Sequence, residues 1–271
     1  MIVRAVHVYP IKSTQGYEVP AADVEPWGLV HDRRYMVVDE HDTMMTAREH
    51  PLLLTCRAEV TGTGLTLTGG HAAPVRVSPT DRVRTVRLRA ELMELRDCGD
   101  EAAAWLSELL GRPVRLVWQD DPTRRPVDPD YGLPEDRVSL ADGYPLLLTS
   151  TASLDRLNDW IAEAAVERGE EVPEPLPMHR FRPNVVVDGV ETAFAEDGWQ
   201  RVRIGDLDFR MSKLCARCVL TTIDNTTLAK GKEPIRTLAV HRRWDGKTWF
   251  GVNLIPDGEG RIRTGDPVKV L

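Results

Sequence analysis

The chain is broken into short apolar runs by glycine and proline, and this rhythm restricts it to a fold built mainly of short strands. Residues 2–9 alternate, with Val3, Ala5 and His7 on one side of the chain, the period of a half-buried strand. Residues 35–38 form a short apolar run behind a charged turn. Residues 52–60 and 83–95 are again strand-like, separated by Gly62, Gly64, Gly69, Gly70 and Pro74. Within 83–95, Val83, Val86 and Leu88 mix with Arg84, Arg87 and Arg89, as on a half-exposed strand. Strands this short at this spacing lead to a barrel or a sandwich.

Helices interrupt the pattern. Asp100 is placed to cap one whose apolar face is Ala102, Trp105, Leu106, Leu109 and Leu110, with Gly111 and Pro113 as its stop. After a strand at 114–118, residues 119–137 are polar with four prolines, so a domain boundary is expected at 118/119. A strand at 145–148 ends in Thr149 and Ser150. Ser153 is then placed to cap a helix with Leu154, Leu157, Trp160, Ile161 and Ala164 on one face. Residues 170–177 read as an acidic, proline-rich loop. The β pattern returns at 184–187, 201–204, 207–211, 219–223, 238–242, 249–254 and 261–270. The expected fold class is mostly β (α+β), with a β-barrel-like domain over 1–118 and a second β domain with a few helices over 119–271.

Apolar residues make up 42% of the 271, enough for a sizeable core. The net charge of −7 argues against a nucleic-acid binder, and any anion site must be built from chosen Lys and Arg side chains. Four cysteines are too few for a disulfide framework in a chain of this length. The N-terminus, MIVRAVHVYPIKS, lacks the pattern of a signal peptide. No window of about 20 apolar residues spans a membrane. The expected compartment is the reduced cytoplasm.

The sharpest chemistry lies in residues 213–224, KLCARCVLTTID, where Cys215 and Cys218 stand three apart and Arg217 directly precedes the second thiol. Three readings are open. Free cysteines are often small buried hydrophobes. Cys-x-x-Cys is half of a zinc site, but a closed site needs four ligands, Cys56 and Cys98 are distant along the chain, and no histidine pair is suitably spaced. A thioredoxin-like pair belongs at a strand-to-helix turn, whereas the residues after Cys218 read as a strand. Arg217 beside Cys218 favours a thiolate, the form that binds a soft metal. In RFRPN, residues 180–184, Arg182 and Asn184 alternate onto one face of an opening strand with Phe181 on the other. Arginine there is a natural bidentate partner for phosphate or carboxylate. Near the N-terminus, Lys12 and Ser13 follow a strand and offer an ammonium and a hydroxyl suited to phosphate. Asp32-Arg33-Arg34-Tyr35 and Thr46-Ala47-Arg48 come after them. A solvated loop with ion pairs accounts for these N-terminal residues equally well.

Together, YPIKS, GLVHDRRYMVVD and TAREHP resemble the N-terminal β-barrel domain that accompanies MOSC domains. FRPNVVV, FAEDGW, IGDLDFR, CARCVLTTID and the closing GDPVKVL resemble the MOSC domain itself. The segments run in order over nearly the whole chain, which is similar to the branch of the family that holds the mitochondrial amidoxime-reducing component and its bacterial counterparts. The resemblance implies a pyranopterin molybdenum cofactor (Mo-molybdopterin) between the two domains, with Cys218 as metal ligand and catalytic group. It implies cofactor contacts at Lys12, Ser13, Arg33, Arg182, Asn184, the backbone of Ala216, and Arg217, with Ser150 and Asn253 at further contacts and Cys215 structural. The implied activity is removal of oxygen from N-hydroxylated small molecules such as amidoximes and hydroxylamines.

The resemblance also allows a cofactor carrier or sulfur-transfer module without reductase activity, since MOSC domains occur in cofactor sulfurases; no pyridoxal-enzyme domain stands on this chain. Four cysteines cannot supply both a molybdenum site and an iron–sulfur cluster, and no Gly-x-Gly-x-x-Gly joins a strand to a helix. A separate electron donor is therefore expected: a ferredoxin, a flavodoxin or a cytochrome b5-like protein. Asp224 and the region of His50 are proton-donor candidates by proximity alone.

Overall fold

The computed structural model describes residues 1–70 and 72–271. The described residues are mostly sheet, with three α-helices: α1 (Gly99–Leu110), α2 (Thr151–Glu167) and α3 (Ile235–His241). The largest sheet has nine strands. Its order is Val268–Val270, Arg201–Ile204, Leu207–Ala216, Lys247–Pro256, Leu146–Ser150, Val185–Asp188, Ile2–Val8 and Tyr17–Val19, with Arg243–Trp244 hairpinned onto Lys247–Pro256. Leu146–Ser150 runs parallel to Val185–Asp188, and α2 supplies the crossover that a parallel pair needs.

Strand pairing crosses the 118/119 boundary. Val6 lies opposite Val185, and Ala21–Glu25 pairs with Gly260–Arg263. Val3, Val6, Val24 and Leu29 share a core with Leu148, Phe209, Val252 and Ile262. From Tyr35 onward the chain builds a second body. Tyr35–Asp39, Val114–Trp118, Glu91–Asp97 and Val83–Leu88 form a four-stranded sheet, and Arg57–Thr61, Gly64–Thr68 and Val75–Val77 a three-stranded one. The apolar face of α1 packs Ala102, Trp105 and Leu106 against Leu53, Leu67 and Leu116. The chain thus reaches the second body at Ile11, returns to the first through Tyr17–Val19 and Ala21–Glu25, and crosses again before Tyr35; the crossing stretches carry Lys12, Ser13 and Arg33.

Several local expectations are corrected. Residues 52–60 open with a 3₁₀ turn, Pro51–Thr55, because Pro51 presets the helical φ at its start. Residues 83–95 are a hairpin, Val83–Leu88 and Glu91–Asp97. Residues 219–223 are not a strand: Val219–Thr222 is a 3₁₀ turn in which Thr221 and Thr222 donate back to the carbonyls of Cys218 (2.9 Å) and Val219 (2.8 Å). Residues 238–242 fall largely in α3, which starts behind Pro234 and buries Leu238. Asp100 does not cap α1; Cys98 holds the cap position and Asp100 pairs with Arg115 at 2.7 Å. Ser150 rather than Ser153 caps α2, its hydroxyl accepting from the Ser153 N–H at 3.1 Å. Gly111 ends α1 at φ 66°, as its position after the last apolar residue required.

Candidate functional site

Where the chain crosses between the bodies, two segments are pinned side by side. The Lys12 N–H donates to the Tyr35 carbonyl (2.8 Å), the Tyr35 N–H to Pro10 (3.0 Å) and the Arg33 N–H to Tyr9 (2.7 Å). The buried Asp32 carboxylate accepts the Tyr9 N–H at 2.9 Å. These bonds set Lys12, Ser13 and Arg33 in the wall of a cleft of about 1010 Å³, at the upper end of small-molecule sites. The cleft also collects Arg182, Asn184, Ala216, Arg217, Cys218 and Asn253, so nine of the ten expected site residues share it. Ser150 is the exception and a correction. It is fully buried at the start of α2, where its hydroxyl donates to Glu196 at 3.1 Å, and it does not line the cleft. Eleven Lys and Arg side chains line the cleft against three carboxylates, in a chain of net charge −7. A cation-lined cleft of this kind concentrates anions.

Tyr9 organises the inner cations. The guanidinium carbons of Arg33 and Arg182 lie 4.4 and 4.3 Å from the centroid of its buried ring, within cation–π range. A Cβ on Gly16 would approach that ring to 2.2 Å, so glycine is needed where the two segments meet. Arg33 donates to Asp32 (2.7 Å), to Asn184 Oδ1 (2.9 Å) and to the Arg182 carbonyl (3.1 Å). Arg182 donates to the Thr14 carbonyl at 2.5 Å. Burial, with the charge of Arg33, pushes the Arg182 guanidinium down to about 10, so it stays charged at neutral pH. Arg182 does not open a strand as expected. It lies at φ 55° just after a 3₁₀ turn, and the strand begins at Val185. Ser13, Arg33, Arg89 and Arg182 are four of the nine described non-glycine residues with positive φ, and all four line the cleft. Each such position costs about 1–3 kcal/mol and persists where surrounding bonds fix it.

Lys12 donates to the Leu140 carbonyl (2.9 Å) and pairs with Asp142 at 2.5 Å. Burial pushes its ammonium down to about 8 against the raising pull of Asp142. Asp142 also takes Arg48 at 3.1 Å and Arg89 at 3.2 Å. Its surroundings disfavour ionisation, but Lys12, Arg89 and Arg48 together hold its carboxyl below the ordinary range. One carboxylate therefore gathers three cations.

Arg217 does not face Cys218 as the sequence suggests. Its Nε donates to the Phe250 carbonyl (2.8 Å) and its Nη1 to Phe181 (3.0 Å). Arg48 lines the same cleft as Cys218. Cys215, expected to be structural, is half-buried and lines the cleft at the end of Leu207–Ala216. Cys218 opens the 3₁₀ turn, with no α-helix behind it. Asn253 donates to the Lys213 carbonyl at 3.1 Å, tying the bulged strand that leads to Cys215. Asp224 and His50 lie outside the cleft lining, and Asp224 pairs with Arg180 at 3.2 Å. Sequence reasoning assigned no role to Tyr9, Arg48 or Asp142. Tyr9 and Arg48 lie in the YPIKS and TAREHP segments, which were a usable signal; Asp142 lies in ADGYP, which reads as a turn.

Fold and site define a two-part β protein with a cationic, thiol-lined cleft where its parts meet. A family model described as the MOSC N-terminal beta barrel domain matches residues 1–113, and one described as the MOSC domain matches residues 135–269. The chain belongs to the MOSC family. It is 32% identical over 291 residues to mitochondrial amidoxime-reducing component 1 of Homo sapiens, covering 99% of this chain and 82% of that protein. It is 33% identical over 289 residues to mitochondrial amidoxime reducing component 2 of Rattus norvegicus, covering 98% and 82%. It is also 33% identical over 263 residues to the molybdenum cofactor sulfurase of Danio rerio, covering 91% of this chain and 31% of that protein. No described helix is long and apolar enough to cross a membrane.

Proposed function

We propose that the chain is a molybdenum-cofactor-dependent reductase of N-hydroxylated small molecules, with Cys218 as the protein ligand to the metal. The observation that supports this most is the convergence of nine expected residues on one cleft with eleven cations and three carboxylates. The residues present suit such a group. Arg217 Nη2 and Arg48 Nε are buried donors without partners among the described residues, and buried donors normally have one. Cys218 offers a soft ligand. Lys12, Ser13, Arg33, Arg182 and Asn184 would hold the phosphate and pterin, with the Ala216 backbone, Arg217 and Asn253 on the facing wall. When bound, the group supplies the two-electron chemistry that converts an amidoxime to an amidine and water.

The chain's own residues bind and orient. Tyr9 keeps Arg33 and Arg182 side by side. Arg217 brackets the turn that carries Cys218, and Arg48 adds a cation to the same cleft. The cleft draws its lining from both bodies, the one built from Tyr35 onward and the one that the N-terminal strands share with the C-terminal half. Electrons come from a separate ferredoxin, flavodoxin or cytochrome b5-like protein in a reduced compartment such as the cytoplasm, in keeping with four free cysteines.

The test is the molybdenum and pterin content of Cys218→Ala and Cys215→Ala, with reduction of a model amidoxime by reduced methyl viologen. Cys218→Ala is expected to lose metal and turnover and Cys215→Ala to keep both. Equal loss would point to a redox dithiol, and equal retention would remove the thiolate from the site. The likeness to the sulfurase favours a second reading, a carrier or sulfur-transfer module. That reading predicts bound cofactor with no turnover from methyl viologen.

A further inference from the structure

Behind the cleft, aromatic side chains form a continuous series that leads to the surface. The Arg217 guanidinium, next to Cys218 in the chain, lies 5.5 Å from the Phe181 ring and 5.9 Å from Phe250. Those two rings stack at 4.1 Å. Phe194 meets Phe250 edge-on at 6.2 Å, Trp160 stacks on Phe194 at 5.2 Å, and His241 stacks on Trp160 at 4.2 Å. Phe181 and Phe250 are buried, Trp160 is half-buried and His241 is exposed, so the series runs from the cleft to solvent. Packing alone would account for the buried rings; it gives no reason for the outer pair to end in an exposed imidazole.

The surroundings of that outer end have the character of an interaction face. Val240 is 76% exposed and Trp244 is 39% exposed, an apolar patch of the kind that marks contact sites. Arg243 is exposed, and so is Lys247, which lies opposite Trp244 in the hairpin register. Neither makes an ion pair among the described residues. Asp245, in the turn of the same hairpin, is the exposed carboxylate beside them. In a chain of net charge −7, two exposed cations without ion pairs on this hairpin favour an acidic partner and speed its encounter.

We propose that the face formed by Trp160, His241, Arg243 and Trp244 docks an acidic one-electron carrier protein, and that the ring series is the electron route to the Cys218 site. The proposal rests on the reductase reading. Each turnover takes an amidoxime, two electrons and two protons to an amidine and water, so the carrier docks twice and is oxidised by one electron each time. Electron-transfer encounters are small interfaces, and one steered by exposed charges weakens as salt rises.

The test measures the Kd of an acidic [2Fe–2S] ferredoxin for each variant by calorimetry, without turnover, and compares two donors on the cofactor-loaded protein: reduced methyl viologen, a small molecule, and the same ferredoxin kept reduced by NADPH and its reductase; an unchanged Kd in Arg243→Glu and His241→Ala would overturn the docking face. The variants are His241→Ala, Arg243→Glu, Trp160→Leu and Trp160→Phe. Methyl viologen rates are expected to stay at the wild-type level in all four. With limiting ferredoxin, Arg243→Glu and His241→Ala should lose on the order of tenfold in rate. Arg243→Glu should raise the KM for ferredoxin and flatten the salt dependence. Trp160→Leu should lower kcat with ferredoxin, and Trp160→Phe, which keeps a ring, should restore it. Wild-type ferredoxin rates in every variant would overturn the docking face. Equal losses with both donors would reduce the series to packing that supports the cleft. Methyl viologen turnover without any ferredoxin turnover in the wild type would overturn the acidic carrier. Absence of methyl viologen turnover in the wild type would instead end the reductase reading itself.

Discussion

Replacing Arg217 by lysine separates charge from shape. If Arg217 acts only as a cation beside Cys218, the variant keeps stability and activity. The structure gives the guanidinium a different task. Its two arms donate to the carbonyls of Phe250 and Phe181 at 2.8 and 3.0 Å while it lies over both rings. A lysine ammonium has no fork and can reach one of these carbonyls at a time. One lost bond from a charged donor removes about 1.5–3 kcal/mol, and weaker stacking on the rings removes about 0.5–1 kcal/mol more. The expected loss is about 2–4 kcal/mol. At roughly 2–4 °C per kcal/mol for a chain of this size, Tm should fall by about 5–15 °C. Thermal unfolding followed by circular dichroism reads the first effect. Turnover with reduced methyl viologen reads the second, a lower kcat as the turn bearing Cys218 loosens. An unchanged Tm with retained activity would refute the bracket and return Arg217 to a purely electrostatic role.

Arg33→Ala or Arg182→Ala should lower cofactor affinity on the order of tenfold to a hundredfold, the worth of one charge-assisted contact. Molybdenum retained after dialysis measures it, and full retention would count against the anion pocket. Lys12 is a base whose pKa burial lowers to about 8, so it is charged below that pH and neutral above it. Binding of inorganic phosphate, followed by calorimetry, should therefore weaken as pH rises through about 8, and Lys12→Met should remove that step. Glu196 is fully buried and accepts from Ser150 and Ser153. Burial raises its pKa although these bonds pull it down. A carboxyl raised in the folded state contributes stability at low pH and loses it as pH climbs through the folded value. Glu196→Gln should raise Tm at neutral pH and converge with the wild type in acid; a lower Tm at neutral pH would contradict this.

The sequence by itself determined the features that depend on neighbours along the chain. The alternation of residues 2–9, the Gly111 stop of α1 and the mostly β class were legible because period and cap chemistry are set within a few residues. The MOSC segments likewise named nine residues that the fold brings to one cleft. Tertiary structure decided what those residues face. Val219–Thr222 turns because two threonines bond back to the preceding carbonyls, which the strand-like letters Val-Leu-Thr-Thr conceal. Ser150 was drawn into the cap of α2 beside Glu196, and Arg217 was drawn away from Cys218 by carbonyls 33 and 36 residues distant. Arg48 shares the cleft with that thiol although 170 residues of chain separate the two. A long cation on flexible bonds goes to whichever acceptors the fold brings within reach, and that is fixed by the packing of the two bodies rather than by spacing along the chain.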